Sequence, residues 1–160
     1  MTVAAVRAHL ARFGREADLQ EFAASSATVE LAAAQLGTEP ARIAKTLAFL
    51  DPADAERALL VVVAGDAKVN SGRFKARFGG KPVMIRPEAL VELTGHPVGG
   101  VCPFATAPGA SIWLDESLRR FDVVFPAGGS AASAVRIEVE ALGEVAGALG
   151  WVEVAVLPEA

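Results

Sequence analysis

The chain has 160 residues, of which 52% are hydrophobic and 21% are charged, and its net charge is −4 at pH 7. These values exclude a disordered chain, and the acidic balance argues against a protein that binds nucleic acid over its whole surface. A single cysteine, Cys102, excludes an internal disulfide and favours a reducing, cytoplasmic setting. No apolar run reaches the roughly 18 residues of a membrane span, and the N-terminal pattern is an amphipathic helix rather than a signal peptide.

In chain order, the first half alternates helix and strand patterns. Thr28 and Gly37 are a typical cap and stop of a helix. The run Val61 to Val63 has little alternation, which predicts a central strand buried on both faces. The predicted elements are helices over 3–13, 28–37 and 72–79 (the last capped by Asn70 or Ser71), a polar connection over 15–22, and strands over 46–50 and 58–65 joined by 51–57.

The second half continues with shorter elements. Helices are predicted over 87–95 and 141–150, one helical turn after Asp115, and strands over 82–85, 111–114, 122–128, 134–140 and 151–157. Several links are too short for a right-handed parallel crossover. We therefore predict an α+β fold: a single compact domain over residues 1–160, with a mixed, mostly antiparallel, barrel-like sheet and surrounding helices.

A lysine stands at the start of the first apolar strand. Lys45 is followed by Thr46 and Leu47 and then by further apolar residues. Lysine is rarely buried without a partner, and a partly desolvated ammonium exerts a charge that solvent does not fully screen. Two interpretations are open: Lys45 extends its ammonium to water, or it meets an anionic or ester-like ligand.

The segment "GHPVGGVCPF" is the second candidate site. Gly99 and Gly100 allow close backbone approach, and successive N–H groups in such a turn can form an anion-binding nest or an oxyanion hole; the alternative is a plain tight loop. His96 and Cys102 share this loop, but a cysteine nucleophile is the less favoured reading. Asp66, after a glycine, is either a turn residue or a ligand-orienting one. One cysteine and two separated histidines predict no metal site.

A basic run without any acidic residue extends from residue 67 to residue 87. It is either a local phosphate-binding face or an ordinary solvated surface, and it is too limited for a DNA-binding groove. Its basic residues are Lys68, Arg73, Lys75, Arg77, Lys81 and Arg86.

Four segments in this order resemble the YbaK / prolyl-tRNA-synthetase-associated editing domain family. They are "TVELAAAQLG…ARIAKTLAFL", "VVVAGDAKVN", "GHPVGGVCPF" and "IWLDESLRRFDVVFPAGG", within about residues 26–145. The resemblance implies hydrolysis of mischarged aminoacyl-tRNA, mainly tRNA for proline carrying cysteine, alanine or another small amino acid. It also implies a barrel-like sheet, no metal or other cofactor, and no side-chain nucleophile, with the terminal ribose hydroxyl or the substrate's own thiol assisting.

The resemblance places the essential lysine of the family at Lys45 and its Gly-x-x-x-Pro loop at Gly99 to Pro103. Thr46 stands where the alanine-specific branch has asparagine, which favours a cysteine-type or broader specificity. Ser130 and Ser133 stand where some members have basic or other polar residues, which leaves the substrate open. The candidate catalytic residues are Lys45, Gly99, Gly100 and Val101; the candidate substrate-binding residues are Thr46, Pro103, Asp66, Phe22, Thr28 and Leu47; the candidate tRNA contacts are Lys68, Arg73, Lys75 and Arg77.

The expected partner is the acceptor end of an aminoacyl-tRNA, with prolyl-tRNA synthetase as a candidate second partner. No membrane and no DNA are expected, and the protein is expected to be a monomer or a weak homo-oligomer. The alternative function is a binding module that holds a tRNA 3′ end or a small aminoacyl ligand without turnover. A purely structural interaction domain would leave both Lys45 and the glycines unexplained.

Overall fold

The computed structural model describes residues 2–23 and 28–158, and it shows short helices packed around a curled, half-barrel sheet. The α-helices of this part of the chain are α1 (Thr2–Ala11), α2 (Val29–Leu36), α3 (Ser71–Phe78), α4 (Leu90–Thr94) and α5 (Val139–Ala146). Short 3₁₀ helices cover Glu16–Asp18, Pro40–Arg42, Pro87–Ala89 and Glu116–Arg120. No helix within the described ranges is long and apolar enough to cross a membrane.

The strands form one large sheet and two small ribbons. They are β1 (Leu19–Glu21), β2 (Ile43–Asp51), β3 (Asp54–Ala64), β4 (Lys68–Val69), β5 (Ser111–Asp115), β6 (Val123–Pro126), β7 (Ser133–Val135), β8 (Ile137–Glu138), β9 (Gly150–Val152) and β10 (Ala155–Val156). The six-stranded sheet has the order β8-β6-β2-β3-β5-β9, with both parallel and antiparallel neighbours. The antiparallel ribbons pair β1 with β7 and β4 with β10. The predicted mixed α+β architecture is confirmed.

Strand β3 is the centre of the hydrophobic core. It lies between β2 and β5, and every residue from Ala58 to Ala64 is buried. The prediction of a strand buried on both faces is therefore confirmed. Phe49 of β2 and Phe74 of α3 pack ring against ring, with centroids 4.8 Å apart, which fastens α3 to the sheet.

Helix ends follow the predicted chemistry. The Thr28 hydroxyl accepts the Leu31 N–H at 3.1 Å, and Gly37 ends α2 with a φ of 68°. The Asn70 side chain accepts the Arg73 N–H at 2.9 Å and caps α3. These contacts lie within a few residues of each other, so the local sequence specifies them.

Several element predictions are corrected by the structure. The predicted strand 46–50 is part of β2, which begins at Ile43, so Lys45 lies within a strand. The predicted strand 151–157 divides between β9 of the main sheet and β10 of a ribbon, and the predicted helix 141–150 is α5, which ends at Ala146. Residues 54–57 belong to β3 rather than to a connection; they are exposed and three of the four are charged, so no hydrophobic pattern marks them. Residues 82–85 make only an isolated bridge between Met84 and Phe49. The alternating run 134–140 divides among β7, β8 and α5, because its first part pairs with β1, a strand hidden in the polar segment 15–22.

The buried carboxylate of Asp115 joins the main sheet to the β4–β10 ribbon. Its Oδ1 accepts the N–H groups of Val154 and Ala155 at 2.8 and 3.0 Å, and its Oδ2 accepts the Ser117 N–H at 2.9 Å. The side chain is almost fully buried. Asp115 thus satisfies backbone donors of two distant segments as well as capping the 3₁₀ helix that follows it.

Candidate functional site

The outer edge of β2 has a gap in its backbone pairing. The ladder with β6 includes Ile43 and Ala44, and hydrogen bonds to residues 83–85 begin at Ala48, whose carbonyl accepts the Ile85 N–H at 3.0 Å. Backbone polar groups of alternate strand residues face the same edge, so those of Thr46 face this gap. A notch in the sheet therefore separates two pieces of chain that both lie beside β2.

A cavity of about 240 Å³ lies at this gap. It is smaller than the roughly 300 to 1,000 Å³ typical of drug-sized sites, so it fits a small group. Residues from both sides of the gap line it, and its walls are mainly apolar. The lining residues are Thr28, Val29, Ala32, Ile43, Ala44, Lys45, Thr46, Ala48, Met84, Ile85, Leu90, Val98, Gly99, Val101, Phe125, Ala127, Ser130, Ser133 and Ala134.

Lys45 brings a positive charge to the wall of this cavity. Within the described ranges, no hydrogen bond or ion pair holds its ammonium. Burial lowers the pKa of Lys45 below its ordinary value, and the nearby Lys68 lowers it further, while Asp66 and Glu30 act in the opposite direction. The ammonium is thus half-buried and has no direct partner among the described residues, a state that favours binding an anion or a polarised carbonyl oxygen.

Thr46 adds a second unsatisfied polar group to the same wall. Its Oγ1 is buried and has no hydrogen-bond partner among the residues that the structure describes. An unpaired buried hydroxyl costs about 1–3 kcal/mol relative to a paired one. A ligand group able to hydrogen bond with Oγ1 would recover that free energy.

Within the described part of the chain, the loop after α4 contributes two residues with unpaired backbone donors to the cavity lining. Gly99 and Val101 line the cavity, and no described residue accepts a hydrogen bond from either N–H. The Gly100 N–H is engaged, because it donates to the Pro97 carbonyl at 3.0 Å. Gly99 has a φ of 83°, a left-handed conformation that favours glycine.

A turn of small residues, 128–130, packs against this loop. The buried Ser133 Oγ accepts the N–H groups of Gly128 and Ser130 at 3.2 and 3.1 Å, which fixes the turn between them. A Cβ on Gly100 would lie 2.6 Å from the Gly129 carbonyl oxygen. Only glycine at position 100 therefore lets the two backbones touch.

Replacing Gly100 by alanine is expected to destabilise the protein by about 1–3 kcal/mol, because the added methyl group meets backbone atoms that have little room to move. The measurement is the urea midpoint of unfolding. Gly109→Ala is the matched control, since its Cβ would meet only the Arg57 side chain, at 3.6 Å. Equal midpoints for the two variants would contradict the proposed contact.

His96 and Cys102 lie outside the cavity, in the core. The Cys102 Sγ is 3.5 Å from the His96 Nε2, and both side chains are fully buried. Burial raises the pKa of the Cys102 thiol to about 12, and burial also lowers the pKa of His96. A thiol held protonated and away from the cavity is not a usable nucleophile.

The other candidate substrate-binding residues divide between the cavity and its surroundings. Thr28 lines the cavity, whereas Asp66, Leu47, Phe22 and Pro103 do not. The Asp66 carboxylate makes a bidentate ion pair with Arg120, at 2.6 and 3.1 Å, and this contact lowers the pKa of Asp66. Leu47 packs against the main core, Pro103 is buried, and Phe22 donates its N–H to the Ala132 carbonyl.

The candidate tRNA contacts differ in how free their charges are. Lys68, on β4, is exposed and close enough to Lys45 to affect its pKa. Lys75 is exposed on α3. Arg73 is held by the Ala155 carbonyl at 3.2 Å and by Glu153 at 3.7 Å, and the Arg77 guanidinium lies 4.7 Å from the Trp113 ring centroid. These contacts orient both arginines on the surface.

Sequence reasoning missed most of the apolar lining and the partner of Asp66. Met84, Ile85, Leu90 and Val98 form part of the wall, but nothing in an ordinary apolar residue distinguishes a cavity wall from a core. Among the lining residues, Ser130 and Ser133 could be noticed in the sequence, because some members of the family have basic or other polar residues at these positions. Arg120 lies 54 positions from Asp66, so no local pattern joins them.

Comparison with known proteins identifies the family. An aminoacyl-tRNA editing domain model matches residues 23–145. The chain belongs to the aminoacyl-tRNA editing domain family. A relative, YwhH of Bacillus subtilis (strain 168), is 43% identical over 154 residues, which cover 96% of this chain and 97% of that protein.

Two solved structures are similar to this editing domain. A crystal structure described as a candidate trans-editing enzyme for prolyl tRNA synthetase has a TM-score of 0.84 at 29% identity, covering 99% of this chain and 98% of that one. The crystal structure of hypothetical protein APE2540 has a TM-score of 0.76 at 33% identity, covering 86% and 90%. The family predicted from the sequence segments is confirmed.

Proposed function

We propose that this editing-domain protein is a hydrolase that deacylates mischarged aminoacyl-tRNA. The observation that carries the proposal is the Lys45 ammonium, which has no direct partner among the described residues, on a small cavity also lined by Gly99 and Val101, whose N–H groups have no acceptor in that part of the chain. An aminoacyl ester is already activated, so positioning and donors aimed at the developing negative charge are sufficient catalysts. Family membership supports the same reaction class.

The catalytic roles follow from which groups are free. Lys45 either holds a phosphate or hydroxyl group of the terminal adenosine or polarises the ester carbonyl. The N–H groups of Gly99 and Val101 receive the oxyanion, whereas Gly100, whose N–H is engaged, keeps the loop against Gly129. Because Cys102 is buried, the attacking group is a water molecule or a hydroxyl or thiol of the substrate itself.

The aminoacyl group is held at the open edge of β2. The Thr46 hydroxyl, which has no hydrogen-bond partner among the described residues, and the Thr46 backbone groups, which face the gap, bind its polar atoms. Thr28 borders the same space, whose volume is only about 240 Å³. The amino acid is therefore small, with cysteine, alanine and serine as the candidates.

The tRNA is tRNA for proline, and its acceptor end lies along Lys68 and the basic residues of α3. Lys68 is exposed and close enough to Lys45 to lower its pKa, so positive charge is present both at the cavity and on the nearby surface. The likeness to a candidate trans-editing enzyme for prolyl tRNA synthetase supports this choice and makes that synthetase a partner to test. The unit that acts is a single editing domain over residues 1–160.

The test is a deacylation assay with tRNA for proline charged with cysteine, alanine, serine or proline. We expect hydrolysis faster than in buffer for at least one small non-cognate amino acid, with the proline-charged tRNA as the cognate control. No acceleration for any charged tRNA, together with measurable binding, would favour the alternative of a binding module. No acceleration and no binding would overturn both.

A further inference from the structure

The loop that carries Gly99 and Val101 is closed at its base. We call residues 95–107 the glycine loop. Gly95 ends α4 with a φ of 87°, and the Ala107 N–H donates to the Thr94 carbonyl at 3.0 Å. The buried Thr94 hydroxyl accepts the His96 N–H at 3.1 Å, which fixes the first turn of the loop.

His96 joins the two arms of the glycine loop from inside. Its Nε2 lies 2.7 Å from the Phe104 carbonyl oxygen. Since a carbonyl only accepts, Nε2 carries the hydrogen and the ring is in the Nε2–H form. His96 Nδ1 is buried and has no partner among the described residues. One hydrogen bond therefore ties the residue after Gly95 to the residue after Pro103.

His9, on α1, holds Ala105, the residue that follows Phe104. Its Nδ1 accepts the Ala105 N–H at 3.1 Å, and its Nε2 donates to the Val145 carbonyl at 2.6 Å. Ala105 has a φ of 50°, the only positive value at a non-glycine residue in the described chain. Residues with a Cβ rarely adopt this conformation, so surrounding contacts must maintain it.

We propose that His9 and His96 are positioning residues that set the direction of the Gly99 and Val101 N–H groups. The two histidines hold the consecutive residues Phe104 and Ala105, and Gly100 on the other side of the loop packs against Gly129. The backbone between these two points therefore has little conformational freedom. This inference rests on the proposed function for its kinetic consequence, but the structural part can be tested without any activity.

Two substitutions of His9 separate its two hydrogen bonds. In His9→Asn the amide oxygen takes the place of Nδ1 and keeps the bond to Ala105 while losing the one to Val145. In His9→Gln the amide nitrogen takes the place of Nε2 and keeps the bond to Val145 while losing the one to Ala105. The pair therefore distinguishes loop positioning from simple attachment of α1 to α5.

For deacylation, we expect kcat of His9→Gln to fall by roughly 10- to 100-fold with little change in KM, because the oxyanion donors are misplaced while the cavity remains. His9→Asn is expected to stay close to the unmodified protein. The reverse order of activities, or equal activities, would overturn the proposal.

Amide NMR spectra provide the readout that needs no substrate. We expect His9→Gln to shift the Gly99 and Val101 amide resonances and to speed exchange at Ala105, and His9→Asn to preserve all three. A change confined to Ala105 would overturn the proposal even if deacylation is observed. If the unmodified protein deacylates no charged tRNA, the proposed function fails, and the NMR comparison still decides the positioning role.

His96 provides the second pair, which keeps the test decisive if His9→Gln does not fold. His96→Gln retains a donor for the Phe104 carbonyl, and His96→Asn does not reach it. We expect the same amide shifts at Gly99 and Val101 in His96→Asn and their absence in His96→Gln. Identical spectra for the two variants would contradict a role of this bond in shaping the loop.

Discussion

Lys45→Ala is expected to reduce deacylation by roughly 10²–10³-fold while the protein stays folded. The size of the loss is that of removing one preorganised donor from a developing negative charge. Stability should be unchanged or higher at pH 7, because the lowered pKa of Lys45 means that the fold disfavours its charged form. The measurements are initial rates on the charged-tRNA panel and thermal unfolding. Retained activity in this variant would remove Lys45 from the mechanism.

The pH dependence provides a control for the same residue. If the ammonium is the active form, acceleration over buffer is present at neutral pH and is lost as pH rises through the pKa of Lys45, which lies below the ordinary lysine value. Lys45→Arg keeps its charge throughout this range. Any activity that remains in the arginine variant should therefore not decrease as pH rises through the pKa of Lys45. If the deacylation rate of both proteins decreases in the same way at high pH, the decrease belongs to another titrating group.

Asp115→Ala is expected to lower the free energy of unfolding by about 3–5 kcal/mol. The substitution leaves the N–H groups of Ser117, Val154 and Ala155 without their acceptor in a buried place. Because domains are stable by only about 5–15 kcal/mol, this variant approaches the limit of folding. The measurement is urea unfolding.

Two further variants control the Asp115 result. Asp115→Asn keeps one carbonyl oxygen as acceptor and should lose less stability than the alanine variant. Asp54→Ala removes a carboxylate that also accepts a backbone N–H, that of Glu56 at 3.0 Å, but from an exposed side chain, and it should cost about 1 kcal/mol or less. A midpoint for Asp115→Ala as high as that of Asp54→Ala would contradict the structural role.

The role of Asp115 explains one of the segments by which the family was predicted. "LDESL" lies away from the cavity, and its aspartate ties β5 to the β4–β10 ribbon. Its second half leads to Arg120, which pairs with Asp66 close to Lys45. A sequence motif can thus be characteristic of a family because it holds the site's surroundings in place.

Contacts between near neighbours in the chain were predictable. The caps of α2 and α3 depend on residues three positions apart, and the burial of Val61 to Val63 follows from an uninterrupted apolar run. Lys45 was identifiable because a lysine is unusual in an apolar strand, although β2 begins at Ile43 rather than after Lys45. Short strands such as β1 were not predictable, since three residues in a polar segment become a strand only through their distant partner β7.

The sequence by itself determined the family, the caps of α2 and α3, the central strand and two features that line the cavity, Lys45 and the glycine loop. Only the tertiary structure decided where the cavity lies and which donors are free. The gap on β2 exists because β6 and residues 83–85 occupy separate parts of one edge. The close contact of Gly100 with Gly129 and the bond between His9 and Ala105 join residues far apart in the chain. Such contacts depend on the packing of whole elements, which no local pattern encodes.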